Sequence, residues 1–212
     1  MPVSKIESLG ENRAWGLWNI NETELDLSFL SFETCPEDVV HVHKRLEWLA
    51  GRALIRALVE HLDLPYSGIR KDEFGKPYLK TLPHYISLSH SYPYVAAQID
   101  QFQSVGIDVE QPKEKLRQIG PRVFSPDEFS DAKGILAKLC VYWCAKEALY
   151  KIYGKRNLLF SDNLRVLPFE LSDTGLLNGK ILIPENETTV QLQYLVTNDY
   201  VLVYTANQPK AL

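Results

Sequence analysis

The residues predict an α+β protein built from two similar halves, and three observations carry that expectation. Two long amphipathic helices, over residues 36–63 and 135–153, each lead into strand-rich sequence. The nine residues WLAGRALIR (48–56) align with WCAKEALYK (143–151) at a constant offset. Trp, Ala, Ala and Leu match, and basic Arg56 falls opposite basic Lys151. Breaker-bounded apolar segments fill the intervals. A boundary near residues 100–105 follows, giving an N-terminal α+β unit over 1–103 and a C-terminal one over 104–212. Two unrelated helices that each pack on a sheet would give the same echo, so at this level both origins stay open.

The elements run in order as follows. AWGLWNI (14–20) is a first, aromatic-rich strand. The first long helix has Pro36-Glu37-Asp38 in its opening turn and Leu46, Leu49, Ala50, Ala53, Leu54, Ala57 and Leu58 at helical spacing, and it stops at Leu64-Pro65. A short extended piece covers 76–79. Residues 86–90 and 94–99 pair as a hairpin. Residues 104–110 form a further strand, which Pro112 ends. Ser125-Pro126-Asp127-Glu128 supplies an N-cap serine, proline at the first helical position and an acid at the third, a capping box. The second long helix ends at Gly154. The tail reads as strands over 164–169, 179–184, 190–196 and 200–206, with turns at Asp173-Thr174-Gly175 and Asn178-Gly179.

At 212 residues, 45% hydrophobic and 24% charged, the composition is that of a soluble globular protein. No apolar run approaches the ~20 residues that span a bilayer, so no membrane role is expected. The N-terminus has no basic-then-apolar signal pattern, which points to the cytoplasm. Three cysteines suit a reducing compartment better than a disulfide framework. A net charge of −4 argues against nucleic-acid binding, which draws its affinity from phosphate neutralisation. Read by themselves, Lys113, Lys115, Arg117 and Arg122 are a solvated charged face.

The chemistry concentrates in VGIDVE (105–110) and WCAKEALYK (143–151). On a strand, residues two apart share a face, so Asp108 and Glu110 point the same way. Two carboxylates held 4 Å apart repel by about 4 kcal/mol at an effective dielectric of 20. A bound cation, a proton or water must relieve them. Glu147 is the third oxygen donor if the second long helix packs on this strand, and oxygen-only ligation favours Mg²⁺ or Mn²⁺. Lys151 lies one helical turn beyond Glu147 on the same face. An exposed Glu–Lys pair of that spacing is commonplace. Trp143 on that face argues that it meets the protein body. Cys140 and Cys144, also four apart, read as small core residues.

These segments resemble the paired signatures of the 4′-phosphopantetheinyl transferase superfamily: Gly-Ile-Asp-x-Glu, then Trp-x-x-Lys-Glu-(Ala/Ser)-x-x-Lys. RVFSPDE (122–128) resembles the family's Arg-Phe-Phe-Ser-x-x-Glu element, with Val123 in place of the first Phe. FGKPYL (74–79) resembles its Gly-Lys-Pro segment, and ISLSHS (86–91) its Ser-His strand. The five elements stand in the family's order, and the duplicated length resembles its larger, Sfp-like (surfactin-synthetase-activating) class. The resemblance implies two similar α/β subdomains related by a pseudo-twofold axis. It implies transfer of 4′-phosphopantetheine from coenzyme A to a serine of an apo acyl, peptidyl or polyketide carrier protein, releasing adenosine 3′,5′-bisphosphate. It also implies a monomer.

The resemblance further assigns roles. Asp108, Glu110 and Glu147 would hold Mg²⁺. Lys151 would neutralise charge on the pyrophosphate of CoA. Glu147 or a metal-bound water would take the serine proton. Lys76, Ser89 and His90 would contact CoA phosphates. Arg45, Arg52 and Lys71 are further candidates for the 3′-phosphate and adenine end, where the family varies. Lys113, Lys115, Leu116, Arg117 and Ile119, mixing charge with apolar anchors, would dock the acidic carrier. Glu128 is explained locally, as the capping-box acid. A non-catalytic CoA- or carrier-binding module on the same fold, and a Mg²⁺-dependent nucleotide hydrolase, are the alternatives. The hydrolase leaves the CoA-side segments unexplained.

Overall fold

A computed structural model describes residues 3–206 and shows a mixed α and β protein. The chain folds as two compact units, Met1–Val105 and Gly106–Leu212. The first contains β1 (Val3–Ser8), β2 (Arg13–Asn19), α1 (Glu24–Ser31), α2 (Val42–His61), β3 (Ile69–Lys71), β4 (Pro77–Leu79), β5 (Tyr85–Ser91) and β6 (Tyr94–Asp100). The second contains β7 (Ile107–Glu110), α3 (Lys115–Val123), α4 (Pro126–Asp131), α5 (Leu136–Tyr153), α6 (Phe160–Asn163), β8 (Leu164–Val166), β9 (Thr174–Ile183), β10 (Asn186–Val196) and β11 (Val201–Thr205).

The two sheets share a strand order. The first sheet runs β1-β2-β6-β5-β4-β3 and the second β7-β11-β10-β9-β8, with every pairing antiparallel. Without the extra edge strand β1, the two have one topology. A first strand leads into helices, four strands follow, and the last strand returns to pair with the first. The long helix of each unit, α2 or α5, packs across its own sheet. Ala50, Ala53 and Leu54 on α2 and their aligned Ala145, Ala148 and Leu149 on α5 are all buried. The echo therefore lies on the core-facing stripe of each helix, where burial of apolar surface selects small and branched residues.

Several local expectations give way. The first long helix begins at Val42, not near Pro36, and His41 caps it without a side-chain hydrogen bond. The Arg45 guanidinium ties the preceding loop to the helix, donating to the Val39 carbonyl at 3.0 Å. Asn178-Gly179 is not a turn but lies inside β9, opposite Gln191 and Val190 of β10. The hairpin bends instead at Pro184-Glu185, where Glu185 adopts φ 63°. Gly179 serves packing: a Cβ there would stand 2.8 Å from Leu149 Cδ1 of α5. The segment following the metal-strand candidate is the helix α3, not a loop. By contrast, the Ser125–Glu128 capping box and the left-handed Gly154 that terminates α5 form as read.

Candidate active site

In the second unit, the position of α5 against β7 is set at Gly106. A Cβ at this residue would lie 2.0 Å from the Ala148 carbonyl oxygen, so only glycine admits so close an approach. Side chains alternate along the strand, which turns Asp108 and Glu110 to the same helix-facing side. Lys151 Nζ reaches Asp108 Oδ1 at 2.7 Å and the Ile107 carbonyl at 2.8 Å. Glu147, one turn earlier on α5, joins them. Burial raises its carboxyl, the Asp108 and Glu110 carboxylates add to the rise, and the Lys151 ammonium opposes it. The net effect pushes the Glu147 pKa up to about 7.

The chemistry of this donor set fits a divalent cation. It is all oxygen, and the repulsion among three carboxylates is what a cation relieves. Among the described residues, though, no three His, Cys, Asp or Glu side chains are drawn together as a ready metal cluster. The group that closes on Asp108 is the Lys151 ammonium.

The same helix carries a second lysine–carboxylate pair. Lys146 Nζ meets Glu128 Oε2 at 2.7 Å and also donates to the carbonyls of Val123 and Phe160. Glu128 in turn accepts from the backbone of Ser125 and Val166. The motif acid is thus more than a cap: it ties α4, α5 and β8 together. Cys140 and Cys144 are buried core residues, as expected, and burial pushes the Cys144 thiol well up.

Beside Glu110 lies a groove of about 240 Å³ lined by Lys113, Lys115, Leu116, Ile119 and Trp143. Four of the five expected docking residues therefore come together. Two roles change, however. Leu116 belongs to the unit's core and forms the groove floor instead of a protruding anchor, because α3 turns it inward. Arg117 is outside the groove, held by Glu114 Oε2 at 2.8 Å and by the Gly134 carbonyl.

The first unit has its own cationic feature, a cavity of about 360 Å³. Arg52, Lys71, Ser89 and His90 line it, together with Lys44, Glu47 and Trp48. The Arg52 guanidinium stacks on Trp48, Cζ 3.7 Å from the ring centroid, and its buried Nε has no hydrogen-bond partner. A buried guanidinium with an unspent donor is suited to an anion. Two predicted ligands lie elsewhere. Arg45 lines a different cavity, paired at 2.7 Å with Glu24. Lys76 does not line the 360 Å³ cavity, and its Nζ donates to Ser104 Oγ at 2.7 Å.

Sequence reasoning missed Lys44 and Glu47. The carboxylate of Glu47 is buried and held by His90 Nδ1 at 3.2 Å, Lys44 Nζ at 2.7 Å and the Tyr92 amide at 3.1 Å. Burial alone would raise its pKa; hydrogen bonds from His90 and Lys44 outweigh that and hold it down to about 2. The available signal was an acid within the apolar stripe Leu46, Leu49, Ala50 of an amphipathic helix.

The family model of the 4′-phosphopantetheinyl transferase superfamily matches residues 104–205, the unit that carries these carboxylates. A 4′-phosphopantetheinyl transferase of Bacillus subtilis is 32% identical over 171 residues, spanning 76% of this chain and 74% of that protein. The 4′-phosphopantetheinyl transferase Sfp of Bacillus subtilis strain 168 is 33% identical over 159 residues, spanning 68% and 69%. The 4′-phosphopantetheinyl transferase ffp of Bacillus subtilis is 29% identical over 203 residues, spanning 89% and 87%. Similarity of this extent establishes that the chain belongs to the 4′-phosphopantetheinyl transferase superfamily and is a transferase enzyme.

Proposed function

We propose that this enzyme transfers the 4′-phosphopantetheine group of coenzyme A to a serine of an apo acyl or peptidyl carrier protein, releasing adenosine 3′,5′-bisphosphate. It would act as a cytoplasmic monomer with Mg²⁺, or Mn²⁺, held by Asp108, Glu110 and Glu147. Among the described residues no helix is long and apolar enough to cross a membrane. The observation that carries the reading is the Asp108–Lys151 pair set beside Glu147, whose carboxyl titrates at about 7.

The chemistry follows from these groups. The serine oxygen attacks the β-phosphorus of the pyrophosphate. A P–O bond forms there, and the bond from that phosphorus to the bridging oxygen breaks. A divalent cation, when bound, would supply charge neutralisation to the pyrophosphate. Glu147, one helical turn from Lys151, would receive the serine proton. Lys151 orients Asp108 and offsets negative charge on the leaving phosphate. In the first unit, Arg52, Lys71, Ser89 and His90 would recognise the phosphates of CoA. The groove at Lys113, Lys115, Leu116, Ile119 and Trp143 would receive the acidic carrier.

Incubation with CoA, Mg²⁺ and several apo carriers, read by intact mass, tests the proposal. The expected result is addition of one phosphopantetheine, lost in Asp108→Ala and Glu147→Gln. Binding of CoA without transfer to any carrier would favour a non-catalytic module. Normal activity in both variants would sink the site assignment.

A further inference from the structure

Among the residues that define the cationic cavity of the first unit, Glu47 is out of place. An anion-binding cavity gains nothing from a carboxylate in its wall unless that carboxylate is spent on other groups. Here it is spent. Only 4% of Glu47 is exposed, and its oxygens accept from Lys44, His90 and the Tyr92 amide. Two of those donors, Lys44 and His90, are themselves cavity residues and are largely exposed away from Glu47.

The geometry points to Glu47 as the positioning residue for coenzyme A recognition: its buried carboxylate fixes Lys44 and His90 toward the ligand's phosphates. Donation from Nδ1 to Glu47 sets the His90 ring so that Nε2 is its remaining polar edge, the second-partner logic by which a carboxylate orients an imidazole. Flexible Lys44 loses rotamer freedom before a ligand arrives, which lowers the entropic cost of binding. Tyr92, held through its backbone by the same carboxylate, stacks on His43 with ring centroids 4.0 Å apart. This inference rests on the proposed use of CoA.

A mutant cycle on CoA binding tests it, with calorimetry on the full chain. Glu47→Gln keeps an acceptor for the Tyr92 amide while removing the charge. It is expected to weaken CoA about tenfold, the scale of one charge-assisted hydrogen bond. His90→Gln is expected to do the same, and Glu47→Gln is expected to weaken binding no further once Lys44→Met and His90→Gln are both in place. In turnover, the KM for CoA should rise in Glu47→Gln with kcat within about twofold of wild type. Should that variant fail to fold, Glu47→Asp, which keeps the charge but draws it back by one methylene, takes its place. Unchanged CoA affinity in the Glu47 variant, or a further loss from Glu47→Gln on top of Lys44→Met and His90→Gln, would overturn the inference and leave the proposed function intact. A wild-type chain that does not bind CoA would overturn both.

Discussion

Two of the three ion-paired lysines on helix α5 make the same bond in different surroundings. Lys146 meets Glu128, and Lys151 meets Asp108, each at 2.7 Å. The first pair is sealed, with its side chains 0% and 2% exposed; the second is partly open, at 24% and 5%. Lys146 spends its three ammonium donors on Glu128 and two backbone carbonyls, and both Glu128 oxygens are occupied. Nothing is left over for a ligand. Lys151 stands beside two further carboxylates, in an environment that pushes Glu147 to about 7. An ion pair holds the fold when every donor and acceptor is spent on the protein, and serves chemistry when like charges are left crowded beside it. The motif therefore joins one sealed lysine to one partly open lysine five residues apart.

The comparison predicts opposite phenotypes. Lys146→Met strands a buried carboxylate and should cost about 3–5 kcal/mol of stability, read by urea unfolding. A loss below about 1 kcal/mol would mean that the pair is not architectural. Lys151→Met should instead lower transfer by about 10²–10³-fold, with a small change in unfolding midpoint. Equal stability losses in the two variants would erase the distinction.

Gly106→Ala attacks the open pair from the strand side. Its Cβ must displace the Ala148 carbonyl, 2.0 Å away, so a loss of about 1–3 kcal/mol is expected together with loss of transfer. Retained activity would show that the Asp108–Lys151 geometry tolerates movement of α5.

Glu47 is an intermediate case, a buried carboxylate with exposed donors. Its pKa is depressed from 4.5 to about 2. The folded state therefore binds fewer protons than the unfolded state in that interval. Its stabilisation is fully present above pH 4.5 and lost as pH falls through 2. Glu47→Gln should flatten the acid limb of the stability profile by about 1–3 kcal/mol. An unchanged limb would remove the argument that the carboxylate is charged and held. At the exposed limit, charge reversal at Lys113 and Lys115 should raise the carrier KM several-fold while CoA affinity and stability stay constant. An unchanged carrier KM would return these lysines to the solvated surface.

Much of the second site was legible because its determinants are local. Two residues on a strand share a face, and Glu147 and Lys151 are one helical turn apart. The Ser125–Glu128 cap was equally readable, but its second role was not, since the partners Lys146 and Val166 lie far along the chain. The capping box of α1, Thr23 with Asp26, was overlooked because it uses Asp at the third helical position in place of Glu or Gln. The Asn178-Gly179 dipeptide misled because a glycine that admits Leu149 is indistinguishable, in sequence, from one that makes a turn. Leu116 and Arg117 misled because exposure depends on how α3 is rolled against α5. Arg45 and Arg52 lie on one helix, seven residues apart, and line different cavities.

By itself, the sequence determined the α+β class, the echo between the two long helices, the grouping of Asp108, Glu147 and Lys151, and the family to which it belongs. Each rests on periodicity or on residues a few positions apart, where backbone geometry alone dictates proximity. Only the tertiary structure decided which lysine is sealed and which is open, that Glu47 gathers Lys44 and His90, and that the two sheets share one strand order. Those outcomes depend on burial and on pairings between distant segments, and both are properties of the packed chain.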